Sequence, residues 1–180
     1  MPDLRVVATE DLTAEELHDL RGMLEGAFAG AFEGGLTDED WDHTLGGIHL
    51  LLLDHGLISH AAVVPRVLMA DDSPIRTGYV EGVATSREHR HRGHASEVMR
   101  ETAKIIHACY ELGALATGVP DFYMRLGWEL WRGPTGVDSP GGRQWTPDED
   151  GAVMILRTPA TADLDAAGPL ICDWRQGDVW

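Results

Sequence analysis

The earliest regular pattern is a capping box, in which Thr13 is followed three residues on by Glu16. Leu17, Leu20, Met23, Leu24 and Phe28 then recur on one helical face and predict a helix from Ala14 to Ala27. A second, short helix is expected to start at Thr37, with Asp40 three residues later, and to end near the Gly46-Gly47 pair. The runs Ile48 to Leu53, Leu57 to Met69 and Arg76 to Thr85 are rich in Leu, Val and Ile. Asp-His-Gly and Asp71-Asp72-Ser73-Pro74 divide them, so they read as three antiparallel strands in a meander. A ten-residue basic stretch comes next. Beyond it Val98, Thr102, Ile105, Cys109 and Leu112 mark the apolar side of a helix stopped by Gly113. Ala114 to Thr117 predicts a short strand, Pro120 to Leu126 a brief helix capped by Gly127, and Val153 to Leu156 and Pro169 to Trp174 two closing strands. In between, Gly133 to Gly151 holds five Gly and three Pro in nineteen residues and reads as a long irregular loop, of the kind that is functional or mobile.

No repeat and no linker divides the chain, so residues 1–180 are expected to form one domain. Its 180 residues are 43% hydrophobic, enough to bury about 70% of the unfolded surface without disulfide or metal staples. The balance of 14 Lys and Arg against 30 Asp and Glu leaves a net charge of -16, the wrong sign for gripping nucleic acid. No basic leader precedes an apolar core and no apolar run approaches the ~18 residues of a membrane span, so no membrane partner is expected. Cys109 and Cys172 lack CxxC spacing and read as small core residues of a reduced, cytoplasmic protein.

The charge is unevenly placed. From Ser86 to Lys104, Arg87, Arg90, Arg92, Arg100 and Lys104 outnumber Glu88, Glu97 and Glu101, and His89, His91 and His94 can add to them. Ala31 to Asp42 carries Glu33, Asp38, Glu39, Asp40 and Asp42 with no cation, and Trp145 to Trp180 sets seven acids against Arg157 and Arg175. This polarity suggests one anionic and one cationic ligand. The plainer account is solvated acidic loops.

The segment YVEGVATSREHRHRGHASEVMRETAK, Tyr79 to Lys104, reads as a strand, a turn and a helix. Backbone N–H groups at a helix N-terminus lack intrahelical partners and favour an anion such as a diphosphate. Gly93 allows close approach of the main chain, Ala95 leaves the first turn uncluttered, and Arg90 and Arg92 can add charge-assisted bonds. His89, His91 and His94 have arginines between them and no supporting carboxylates, so no metal is expected.

Arg90-x-x-Gly93-x-Ala95 resembles the pyrophosphate loop of the GCN5-related N-acetyltransferase (GNAT) family, and DFYMRLGW from Asp121 resembles that family's Phe-Tyr-x-x-x-Gly-Phe segment. GAFAG at Gly26, DWxHTLGG from Asp40, YVEGVA at Tyr79, TPDEDG at Thr146 and the terminal CDWRQGDVW are similar to the aminoglycoside 2'-N-acetyltransferase branch. The resemblance implies an α+β GNAT fold, with a mixed, mostly antiparallel sheet splayed between its fourth and fifth strands and flanked by helices. It also implies acetyl transfer from acetyl-CoA to the 2'-amine of an aminoglycoside by direct transfer in a ternary complex, conferring antibiotic resistance. Dimers are frequent in the branch, which leaves a homodimer open.

The implied roles follow the chain. Glu81 interrupts an apolar strand, and burying a charge is costly unless it is partnered. As a site residue Glu81 binds the drug's ammonium and helps remove its proton, a reading favoured over an ion pair or an edge position. By resemblance, the backbone of Val83, Ala84 and Thr85 holds the acetyl and pantetheine part, with the Val83 N–H polarising the thioester carbonyl. Arg90, His91, Arg92, Gly93, His94 and Ala95 form the pyrophosphate loop, and Tyr123 protonates the departing thiolate. Glu33, Asp40, Gly82, Asp148, Glu149, Asp178 and Trp180 with its terminal carboxylate join Glu81 around the polycationic drug. Glu33 stands near the place where the branch has an aspartate after GAFAG, and TGVPD after Ala116 is shorter than the branch's Ser- and Arg-rich segment. The alternatives are a relative acting on another polyamine or a peptide amine, and a non-catalytic module that binds the drug or acyl-CoA.

Overall fold

The capping box at Thr13 forms, and Thr37 makes another. Thr13 accepts a hydrogen bond from the Glu16 N–H while Glu16 reaches back to the Thr13 N–H, and Thr37 and Asp40 do the same. The structure, a computed structural model, describes residues 2–30 and 35–180. In chain order the elements are β1 (Asp3–Ala8), α1 (Ala14–Phe28), α2 (Asp38–His43), β2 (Ile48–Leu53), β3 (Leu57–Ala70), β4 (Ser73–Thr85), α3 (His94–Cys109), β5 (Leu112–Ala116), α4 (Pro120–Met124), β6 (Glu129–Leu130), β7 (Thr135–Ser139), β8 (Gly142–Trp145), β9 (Val153–Arg157) and β10 (Leu170–Asp173). The architecture is α+β, and most strand pairs are antiparallel while β4–β5 and β7–β10 are parallel.

By its internal contacts the chain divides into two compact units, Met1–Val64 with Val80–Thr102, and Pro65–Tyr79 with Ala103–Trp180. The strands β3 and β4 and the helix α3 contribute residues to both. In the first unit β1, β2 and β3 pair antiparallel in that order. Leu50 and Leu52 of β2 are fully buried. Leu20 and Leu24 of α1 close over Ala84 of β4, with Met23, Phe28, Trp41 and Leu57 packed around them. In the second unit the strand order is β6–β9–β5–β4–β3–β10–β7–β8. The two-residue turn from β3 to β4 places Asp71 and Asp72 at φ 50 and 57, the left-handed pair of a tight hairpin that short Asp side chains tolerate.

Three expectations need correction. The stretch Gly133 to Gly151 is not an irregular loop, because β7 and β8 form a hairpin inside it. Two of its glycines serve packing: a Cβ on Gly136 would stand 2.8 Å from the Gln144 carbonyl oxygen, and one on Gly133 only 1.9 Å from that of Gly168. The buried positions of α3 are Val98, Met99, Thr102 and Ile106, rotated from the expected stripe. The helix therefore ends at Cys109, which is exposed rather than core, and Leu112 opens β5. Cys172 is buried as expected. In addition β1, which no strong pattern announces, lies along β2.

Candidate functional site

In the first unit one continuous run, the end of β4 followed by a turn and α3, carries most of the predicted residues. Glu81 is half-buried, next to the fully buried interior of β4, and Gly82 follows at φ 59, a left-handed kink in the strand. A Cβ at Gly82 would meet the Thr44 methyl at 3.0 Å and the His60 ring at 3.2 Å, so those side chains would have to give way, on top of the left-handed dihedral angle that favours glycine. After the kink Ser59 Oγ donates to the Ala84 carbonyl and the Ser86 N–H donates to the Ile58 carbonyl, which ties this edge of β4 to β3. Side-to-side alternation then turns the N–H groups of Val83 and Thr85 to the opposite edge.

The basic turn ends in a helix N-terminus. His91 and Gly93 have φ 62 and 86, and the first intrahelical bond runs from the Glu97 N–H to the Gly93 carbonyl. The amides of His94, Ala95 and Ser96 precede that bond and have no intrahelical acceptor, so three donors and the positive end of a 16-residue helix coincide. Gly93 has nothing within 4 Å of a would-be Cβ, which leaves room for a ligand oxygen against the main chain. Arg90 behaves differently from the expectation of a phosphate contact. Its guanidinium donates to the carbonyls of Thr85 at 3.2 Å and Ala27 at 3.0 Å, fastening the turn to the C-terminal end of α1, where a cation is favoured. Arg87 does likewise toward the Ala29 carbonyl, while Arg92 is exposed. A groove of about 420 Å³ lies here, lined by Gly22, Met23, Gly26, Ala27, Ser86 and Arg87 among others.

Asp40 sits on α2 and its Oδ2 accepts from the Thr37 N–H, so part of its carboxylate is used in capping. Glu33 lies outside the described residues. Among the described residues, no group of three or more His, Cys, Asp and Glu is placed to hold a metal ion, and no helix is long and apolar enough to cross a membrane.

In the second unit three predicted acids converge. Asp148 and Glu149 sit in a short 3-10 turn, and burial, then Asp178, then Asp148 raise the Glu149 pKa above the ordinary carboxylate value. Such crowding of like charge is relieved by a bound cation. Trp180 is buried, with its indole N–H donating to Thr146 Oγ1 at 2.9 Å and its backbone N–H to Asp178 Oδ1. Arg175 donates to the main-chain oxygens of Asp178 and Trp180, so the last residues are folded down rather than frayed. Tyr123 on α4 is buried with its ring edge-on to Phe122 and Trp128, and burial pushes its phenol up to about 12. It is therefore protonated at neutral pH, as a proton donor must be.

Sequence reasoning passed over His49 and His60, two buried imidazoles beside Gly82's kink. The signal was available: like Glu81, each interrupts an apolar strand. It also passed over Arg175, whose role depends on the fold of the tail.

A kinked strand followed by a glycine turn and a helix whose first amides lack intrahelical acceptors has the chemistry to accommodate an anionic group at the end of a strand. The chain belongs to the GNAT acetyltransferases, since the acetyltransferase (GNAT) domain family matches residues 9–131. Within that family it is 41% identical over 181 residues to an aminoglycoside 2'-N-acetyltransferase of Mycolicibacterium fortuitum, across 98% of this chain and 91% of that protein. Its fold is similar to that of the GNAT family N-acetyltransferase YhbS from Escherichia coli, solved in complex with CoA. There the TM-score is 0.66 at 17% identity, over 95% of this chain and 89% of that one. A probable N-acyltransferase from Enterococcus faecalis V583 is similar at TM-score 0.59 and 19% identity over 73% of this chain, which spans 33% of that longer one.

Proposed function

We propose that this chain, acting as one domain in the cytoplasm, transfers the acetyl group of acetyl-CoA to the 2'-amine of aminoglycosides and so confers resistance to them. The observation that carries the reading is the run from Glu81 to Ala95, which sets a carboxylate, outward backbone amides and a helix N-terminus in the order that amine, thioester and diphosphate require. The relative from M. fortuitum supports the choice of acceptor, and the acids Asp148, Glu149 and Asp178 supply the charge a polyammonium sugar needs.

The residues divide the work. Amides at the start of α3 hold the diphosphate of acetyl-CoA, and the Val83 N–H donates to the thioester oxygen as negative charge develops there. Glu81 takes a proton from the ammonium, directly or through water, because only the neutral amine has a lone pair to form the new C–N bond. Tyr123 gives a proton to the sulfur as the C–S bond breaks, so the products are an N-acetyl sugar and free CoA thiol.

The test follows released thiol when the protein is mixed with acetyl-CoA and either tobramycin, which carries a 2'-amine, or spermidine. Thiol release with tobramycin well above that with spermidine is expected. Release with spermidine alone would reassign the acceptor, and release with neither would overturn the reading in favour of a binding module.

A further inference from the structure

Four groups from separate segments of the first unit form one chain of hydrogen bonds. Thr9 Oγ1 lies 2.8 Å from His49 Nε2, His49 Nδ1 lies 2.9 Å from His60 Nε2, and His60 Nδ1 lies 2.7 Å from the carbonyl oxygen of Gly82. Both imidazoles are fully buried. Burial lowers their pKa values to about 4 for His49 and about 3 for His60, so both are neutral near pH 7. The protons can then be assigned by elimination. A carbonyl only accepts, so His60 carries its hydrogen on Nδ1 and accepts at Nε2; His49 must donate from Nδ1 and accept at Nε2 from the Thr9 hydroxyl. Thr9 Oγ1 in turn accepts from the N–H groups of Gly46 and Gly47; its contact with the Gly47 carbonyl oxygen is longer, at 3.2 Å, than the 2.8 Å to His49 Nε2, so the hydroxyl hydrogen goes to the imidazole. Every link has the same polarity, running from the turn after α2 to the kink in β4.

The far end of that chain matters because of peptide geometry. The Gly82 carbonyl and the Val83 N–H belong to one planar trans peptide and point in opposite directions. Whatever orients the carbonyl orients the amide, and a carbonyl that accepts a strong hydrogen bond makes its own N–H a better donor. We propose that His60, locked in its Nδ1-protonated form by His49 and Thr9, is a positioning residue for acetyl transfer: it fixes and polarises the Gly82–Val83 peptide so that the Val83 N–H meets the thioester oxygen. This role rests on the function proposed above.

The experiment compares wild type, His60→Gln and His60→Asn in the thiol-release assay with tobramycin, and reads the His60 tautomer of the wild type by nitrogen NMR. Asparagine can place an N–H where His60 Nδ1 stands, whereas glutamine places its amide at the other ring nitrogen. His60→Gln is expected to lower kcat on the order of tenfold or more while KM for acetyl-CoA stays within about twofold, the split of an interaction made in the transition state. His60→Asn is expected to regain most of the loss, and wild-type His60 to be protonated on Nδ1. Equal kcat for His60→Gln and wild type, equal impairment of both variants, or a His60 protonated on Nε2 would each overturn the role while leaving the function standing. The NMR result decides even where His60→Gln fails to fold. A wild type that releases no thiol would instead overturn the function, and this role with it.

Discussion

Gly82 concentrates the demands of the site in one residue, with a left-handed φ of 59, a carbonyl held by His60, and tight quarters for a Cβ beside Thr44 and His60. Gly82→Ala is expected to cost about 1–2 kcal/mol of stability from the backbone alone, read as a lower urea midpoint, and to cut turnover further than that loss explains. Its neighbour makes a cleaner probe. Glu81→Gln should lower kcat by about a hundredfold or more with little change in CoA affinity, measured by steady-state kinetics alongside CoA titration, and unchanged turnover would remove Glu81 from proton transfer. How such positions could be read in advance differs between them. Glu81 stood out because a carboxylate is costly inside an apolar strand, and His60 and His49 are the same kind of interruption one and two strands away. Imidazole escapes notice because it can be buried neutral. Arg90 was legible as a cation near a helix N-terminus, but one-dimensional pattern does not say that two carbonyls, those of Thr85 and Ala27, claim its guanidinium.

The strands β2 and β3 each bury one of those imidazoles, and acid should find them. In the unfolded chain histidine titrates near 6.5, whereas the folded values of about 4 and about 3 mean that the native state binds fewer protons between. Stability is therefore full above about pH 6.5 and falls as the pH drops toward the folded values, by up to ~1.4 kcal/mol per unit for each histidine. Urea unfolding at pH 7, 6 and 5 tests this above most of the carboxylate range, and a flat profile would show that the pair is not buried neutral. The helix α1 offers a packing counterpart: Leu24 is fully buried, and Leu24→Ala should cost about 2–5 kcal/mol in the same assay. Elements with local rules were the most legible. The capping boxes at Thr13 and Thr37 fix their helices through contacts three residues apart, so sequence alone sufficed. The β7–β8 hairpin was not, because Gly133 and Gly136 satisfy the close approach of distant backbone, which mimics loop composition. The strand β1 depends on the partner it finds in β2, so its existence is a tertiary fact.

A net charge of -16 over the whole molecule, with a basic stretch confined to the β4–α3 turn, would make the proposed recognition of a polycation long-ranged. KM for tobramycin should rise several-fold between roughly 0.05 and 0.5 M salt, where the Debye length shrinks to a few ångströms; an unmoved KM would mean that short contacts, not the acidic field, hold the drug. The charge division was legible in composition, as was the strand, turn and helix that carry the family resemblance. The meeting of Asp148, Glu149 and Asp178 was expected only as part of a wider acidic set, and it takes the folded tail, with Arg175 holding the main chain of Asp178 and Trp180, to bring them together. The most direct test of the whole account is to identify the product by NMR after the protein has consumed acetyl-CoA with tobramycin. One acetyl group on the 2'-nitrogen is the predicted result. An acetyl on another nitrogen, or unmodified drug, would contradict it.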